Sequence, residues 1–213
     1  MDLPQPIAVH CGIPTEIRPW SAPPSTPPAD TRGLGHDYRH LIKPTPAGWP
    51  TRQHWCVWVQ PVRDGGPTGI WEQRWHQAVM RALGTWQQVL AISVVEQPEQ
   101  AQVVIERRRP PIQNRRASHG RAMLNLVEAK RQGLWLREPR VTVLISPGQA
   151  QPAIQATALH ELGHAFGLWG HSDQPGDAMA IQPGAQPVLS LSARDRRTIE
   201  WLQQQPGLQQ TAP

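Results

Sequence analysis

The sequence predicts an α+β fold: a twisted sheet, a helix that backs it, and a second helix that carries the chemistry. Three observations lead there. Trp55, Val57 and Val59 alternate with Cys56, Trp58 and Gln60, the period of a strand with one buried face. From Ile70 to Leu90, the residues Trp71, Trp75, Val79, Ala82, Trp86, Val89 and Leu90 recur every three or four positions, the period of a helix with one apolar stripe. A later segment, roughly Pro152 to Phe166, sets two histidines four residues apart around a glutamate.

Taken in order, residues 1–50 hold eleven of the 24 prolines, in runs such as PWSAPPSTPP and KPTPAGWP, and read as an extended, flexible leader. The folded domain is expected over 51–205. Its first strand ends at Pro61 and the turn Asp64-Gly65-Gly66; the tryptophan-striped helix follows. Ala91–Glu96 and Ala101–Glu106 read as strands separated by Pro98. Arg107, Arg108, Arg109, Arg115, Arg116 and Arg121, broken by Pro110 and Pro111, read as a solvated basic loop. Arg140–Ser146 is a β-branched strand closed by Pro147-Gly148. After the histidine helix, a last helix over Ser192–Gln205 opens on SARD, with Ser or Asp as N-cap, and stops before Pro206-Gly207; 206–213 is a short tail.

Composition excludes several classes. With 213 residues, 38% hydrophobic and 17% charged, the chain can build one core. No run approaches the ~18 apolar residues of a membrane helix, and MDLPQPIAVH has neither a basic nor an apolar export region, so the expectation is no membrane partner and a cytoplasmic location by default. Two cysteines exclude a disulfide scaffold and a Cys-rich zinc fold. The net charge of +5 comes without a nucleic-acid-binding motif or interleaved aromatics, so no nucleic-acid partner is expected.

The chemistry lies in His160-Glu161-Leu162-Gly163-His164. Four residues are just over one helical turn, so both imidazoles leave one face and can bind a single Zn²⁺ at ~2.0–2.1 Å. Glu161 sits beside them, placed to take a proton from a water that the metal acidifies. Catalytic zinc usually has three protein ligands. Gly167 can adopt positive φ, end the helix and turn the chain back, which brings His171 within reach. His36, His40, His54 and His119 have no partner at ligand spacing and read as ordinary loop or surface residues.

The segment HELGHAFGLWGH followed by SDQPGDAMA resembles the zinc-binding region of the metzincin metallopeptidases, the matrixin-like ones above all. The resemblance implies a metzincin-like zincin fold, zinc on His160, His164 and His171, Glu161 as general base, and Met179 as an apolar floor beneath the ligands. In the family the third histidine follows the glycine by three residues; here that place is Gly170 and His171 comes one later. Where some metzincins carry a tyrosine two residues after the methionine, this chain has Ile181, so no phenolic ligand is expected. The stretch WHQAVMRALGTWQQVLAISVVEQPEQAQVVI and the helix LSARDRRTIEWL are also similar to matrixin elements, which extends the likeness over about 51–205. It fails over 107–150, where no ligand set for structural zinc or calcium is seen.

His10-Cys11-Gly12-Ile13-Pro14 resembles the matrixin latency peptide, in which a cysteine thiolate occupies the fourth zinc position. His10 and Thr15 stand where that peptide has Arg and Asp, so Cys11 is either a latency ligand or a free leader thiol. The resulting expectation is a zinc-dependent endopeptidase acting on a protein or peptide, of undetermined oligomeric state. Two alternatives stand beside it: a gluzincin-like site with Glu200 as third ligand, and a catalytically silent zinc- or peptide-binding module.

Overall fold

The computed structural model describes residues 11–20, 35–63, 69–112, 118–182, 184–208 and 210, and these form three α-helices and one six-stranded twisted sheet. The strands are β1 (Glu16–Pro19), β2 (Trp55–Val59), β3 (Ile92–Val94), β4 (Val103–Glu106), β5 (Gly120–Arg131) and β6 (Leu134–Ile145). The helices are α1 (Gly69–Trp86), α2 (Gln151–Ala165) and α3 (Ala193–Gln203). Across the sheet the order is β1-β5-β6-β4-β2-β3. β3, β2, β4 and β6 are mutually parallel, while the β6–β5 and β5–β1 pairs are antiparallel. This is an α+β arrangement. Parallel neighbours need a crossover, and α1 supplies the one between β2 and β3.

Strand alternation divides the sheet into two faces. Trp55, Val57, Val59, Val103, Ile105, Val141, Val143 and Ile145 enter the main core under α1 and α2, while Cys56, with Trp58 and Val104, packs in a small cluster apart from it. The buried stripe of α1 is Trp75, Ala78, Val79, Ala82, Leu83 and Trp86. Trp71 is not part of it: one turn before Trp75 it lies outside the core, 60% exposed, with the Arg74 guanidinium 5.3 Å from its ring. Trp75 Nε1 donates to the Ile145 carbonyl at 3.1 Å and Trp86 Nε1 to the Leu159 carbonyl at 3.0 Å, tying α1 to the end of β6 and to α2. Buried indoles thereby keep a hydrogen bond.

Three expectations are corrected. Residues 11–20 and 35–50 are not a flexible leader: β1 pairs with β5, and Tyr38, Ile42 and Trp49 are buried in the main core. Here apolar residues spaced too irregularly to signal an element are buried by long-range contacts. Arg121 is not loop: it lies in β5, and β5 and β6 form a hairpin of two 12-residue strands. Its turn, Gln132-Gly133, has φ of 51° and 82°, the two positive values of a tight hairpin turn. Pro139 within β6 is tolerated because β6 pairs with β4 only from Val141 onward. Arg107 is not solvated either: it meets the Glu72 carboxylate at 2.9 Å, both side chains being largely buried. The turn at Asp64-Gly65-Gly66, Arg115 and Arg116, and the proline runs over 21–34 lie outside the described residues, as do 1–10 and 211–213.

α3 begins on a capping box, as SARD suggests. Asp195 N–H donates to Ser192 Oγ at 3.0 Å and Ser192 N–H to Asp195 Oδ2 at 2.9 Å. Among the described residues no helix is long and apolar enough to cross a membrane.

Candidate metal centre

α2 ends in a turn that its sequence demands. Gly167 has φ of 108°, its N–H bonds the His164 carbonyl at 2.9 Å, and Leu168 N–H bonds the Gly163 carbonyl at 3.0 Å. These are the paired bonds of a glycine C-cap, which reverses the chain at the helix end. Beyond it Trp169 lies nearly parallel to the His164 ring, centroids 5.5 Å apart, and its carbonyl accepts from Lys43 N–H at 3.0 Å. Gly170 passes against the Leu41 backbone so closely that a Cβ would overlap the Leu41 carbonyl. Position 170 is therefore accommodated as glycine, against a segment expected from the sequence to be leader.

The turn brings His171 back to the helix. His160, His164 and His171 present ring nitrogens that lie within 4.8 Å of one another, with ring centroids 4.9, 5.2 and 4.8 Å apart pairwise. His160 Nδ1 is 2.9 Å from the Ala178 carbonyl and His164 Nδ1 is 2.7 Å from the Leu168 carbonyl. A carbonyl only accepts, so both Nδ1 atoms carry the proton and both Nε2 lone pairs are left for a ligand. Burial lowers the pKa of all three rings, and His164, which also feels His160, is pushed down to about 3. Two imidazoles oriented by backbone carbonyls, with His171 beside them, make up the donor set a borderline metal such as zinc requires.

Glu161 faces the start of β5, next to His160 in the same cleft. Burial raises its carboxyl to about 7, opposed by the Ala122 backbone N–H and the Arg121 charge. Gly120 leaves the room for it: a Cβ there would stand 2.6 Å from Glu161 Cγ and 2.8 Å from Oε1. His160 and Glu161 share a cleft of about 650 Å³, lined also by Ser118, His119 and Gly120 and by residues within Asp177–Ile181 and Gly184–Val188. His119 is an exposed loop residue, as expected, and also lines the cleft, which no local spacing signalled. β1 pairs only with Val127–Lys130, so from Gly120 to Asn125 the outer edge of β5 carries no partner strand among the described residues.

Met179 is fully buried against Gly163, the residue before His164, where a Cβ would overlap its Sδ. The methionine turn is held by groups that sequence reasoning missed. Ser172 N–H donates to the Met179 carbonyl at 2.7 Å, and Asp195 Oδ2 accepts from Ala178 N–H at 2.8 Å. Tyr38 Oη donates to Asp195 Oδ1 at 2.6 Å, and Arg194 pairs with Asp177 at 2.9 Å. Asp195 was legible only as a cap; Tyr38 gave no signal, because its partner is 157 residues away.

Two expectations about ligands are corrected. Cys11 is fully buried and disulfide-bonded to Cys56, in the small cluster apart from the main core, so it is neither a free thiol nor a donor to the three imidazoles. The bridge also makes the single cysteine pair structural. Glu200 is exposed, lines a separate hollow with His36, Asp37 and Arg39, and does not belong to the imidazole cluster. No protein-family model matches the chain, and no curated protein matches it either.

Proposed function

We propose that this chain is a zinc-dependent endopeptidase of the metzincin type. The observation that carries the reading is the convergence of three neutral imidazoles beside a buried carboxylate, in a cleft whose rim is an open strand edge. His160, His164 and His171 would hold the metal through Nε2. Zinc in that position supplies Lewis acidity, polarising a scissile carbonyl and acidifying water.

The rest is done by the chain. The backbone of β5 from Gly120 to Asn125 binds an extended peptide by strand addition, which places a scissile bond along the mouth of the cleft. Glu161, in the same cleft as His160, takes the proton of the attacking water and returns it to the leaving amine. Met179 and the Asp195-anchored turn keep His160 in orientation through the Ala178 carbonyl. The Cys11–Cys56 bridge favours an oxidising compartment over the cytoplasm, since such bridges persist where thiols are not kept reduced.

The test is digestion of an unbiased peptide library by the purified chain, with and without a chelator, alongside metal analysis. Cleavage that the chelator abolishes and zinc restores is expected, with Glu161→Ala keeping its zinc and losing at least ~10²-fold in turnover. Bound zinc without cleavage would select a silent binding module instead.

A further inference from the structure

Trp169 shares the turn with His171 but has no ligand atom to offer, since an indole N–H only donates. Its place in the turn is nonetheless closely fixed. Its backbone N–H donates to the Gly167 carbonyl at 2.9 Å, its carbonyl accepts from Lys43 N–H at 3.0 Å, and Gly170 after it is pressed against the Leu41 backbone. The indole, half-buried against the main core, lies nearly parallel to the His164 ring, at 19° and with 5.5 Å between centroids.

His164 is thereby held from two directions. In the ring plane, Nδ1 donates to the Leu168 carbonyl at 2.7 Å, and that oxygen is itself fixed because it also accepts from Gly170 N–H at 3.0 Å. Such a bond sets where Nδ1 points but lets the ring tilt about it. The indole face removes that freedom, while the His160 and His171 rings stand nearly perpendicular to His164, at 86° and 84°. Rotamer freedom lost in the fold is not lost again when a ligand arrives.

The stack also distinguishes the empty centre from the loaded one. With its proton on Nδ1, His164 keeps the Nε2 lone pair for a metal, and an imidazole that shares this pair with a divalent cation takes on positive charge. The face of an indole is the negative part of its quadrupole and attracts a positive charge within ~6 Å of its centroid. The attraction therefore grows when the metal binds, and only an interaction that differs between the two states shifts the equilibrium between them.

We infer that Trp169 is a positioning residue for the metal: its indole face aligns the His164 ring and favours the loaded centre over the empty one. The inference rests on the reading of His160, His164 and His171 as a zinc site.

Zinc affinity of the full chain, measured by chelator competition in wild type, Trp169→Phe and Trp169→Leu, tests it, with the thermal midpoint of each zinc-free protein beside it. Trp169→Leu stays apolar and loses the aromatic face; it should weaken zinc about tenfold, the effect of a partly desolvated cation–π contact. Trp169→Phe keeps a face and should recover most of that loss, whatever the order of the zinc-free midpoints. Should Trp169→Leu not fold, a second readout remains: zinc should change the near-ultraviolet circular dichroism of wild type, and Trp169→Phe should lose most of that change. Wild type that binds no zinc overturns the metal reading and this inference with it. Wild type that binds one zinc, with Trp169→Leu at wild-type affinity, with both variants weakened equally, or with the dichroism change intact in Trp169→Phe, overturns the inference alone.

Discussion

Gly163 and Met179 are in contact next to His164, and the absence of a Cβ at 163 is what lets the thioether lie there. The glycine stands between the two helical histidines, so whatever moves Met179 also moves the carbonyl of Ala178 that orients His160. A methyl added to a filled interior costs about 1–3 kcal/mol in displaced side chains. Gly163→Ala should therefore lower the thermal midpoint and weaken zinc in a chelator competition. Pairing it with Met179→Ala, which vacates the overlapped volume, should recover part of the metal affinity; if the double variant is worse than the sum of the singles, this contact is not where the strain arises.

The third ligand depends on the turn after Gly167. His171→Ala should weaken zinc about as much as His164→Ala, while Glu200→Ala, at an exposed position outside the cluster, should leave zinc binding at the wild-type level. Gly170→Ala should resemble a mild His171 lesion, since the new methyl meets the Leu41 backbone rather than a side chain that can swing away. A chelator titration that ranks Glu200→Ala below His171→Ala would move the metal elsewhere.

The Cys11–Cys56 bridge closes a sequence separation of 45 residues. Loop-closure entropy for such a ring predicts about 4 kcal/mol of stabilisation, on a model in which the unfolded chain carries the whole effect. Cys11→Ser or a reducing agent should shift denaturant unfolding by a comparable amount while turnover per folded molecule stays unchanged. Activation on the same treatment would restore the latency reading that the bridge replaces.

Tyr38 is the chain's one tyrosine, so tyrosinate absorbance reports it alone. Burial, and then the Asp195 carboxylate, raise its pKa far above the ordinary value of ~10. Above that value the unfolded chain releases the phenolic proton and the folded chain retains it, so stability present below pH ~10 is lost as pH rises. Alkaline unfolding and tyrosinate absorbance should appear together. Tyr38→Phe should remove that slope, at a cost of about 1–3 kcal/mol near neutrality for the bond lost by buried Asp195. Tyrosinate forming well before unfolding would show the hydroxyl to be accessible.

What the sequence determined by itself is whatever rests on local geometry. The two histidines one helical turn apart, the glycine that ends their helix and the Ser192 cap are each properties of a few consecutive residues, and so is the alternation of β2. Glu161 was legible as a neighbour of the ligands, because its place on the helix follows from its number. What only the tertiary structure decided rests on residues far apart in the chain. Cys11 reaches Cys56, Tyr38 reaches Asp195, and Leu41 abuts Gly170. No periodicity connects such pairs, so the proline-rich first fifty residues read as a leader although part of them completes the sheet, the core and the turn that carries His171. The β5–β6 hairpin was hidden for a related reason. Its strands are interrupted by arginines whose charges look solvated in sequence and are instead gathered onto two buried glutamates, Glu128 and Glu138, a pairing that exists only once both strands are in register.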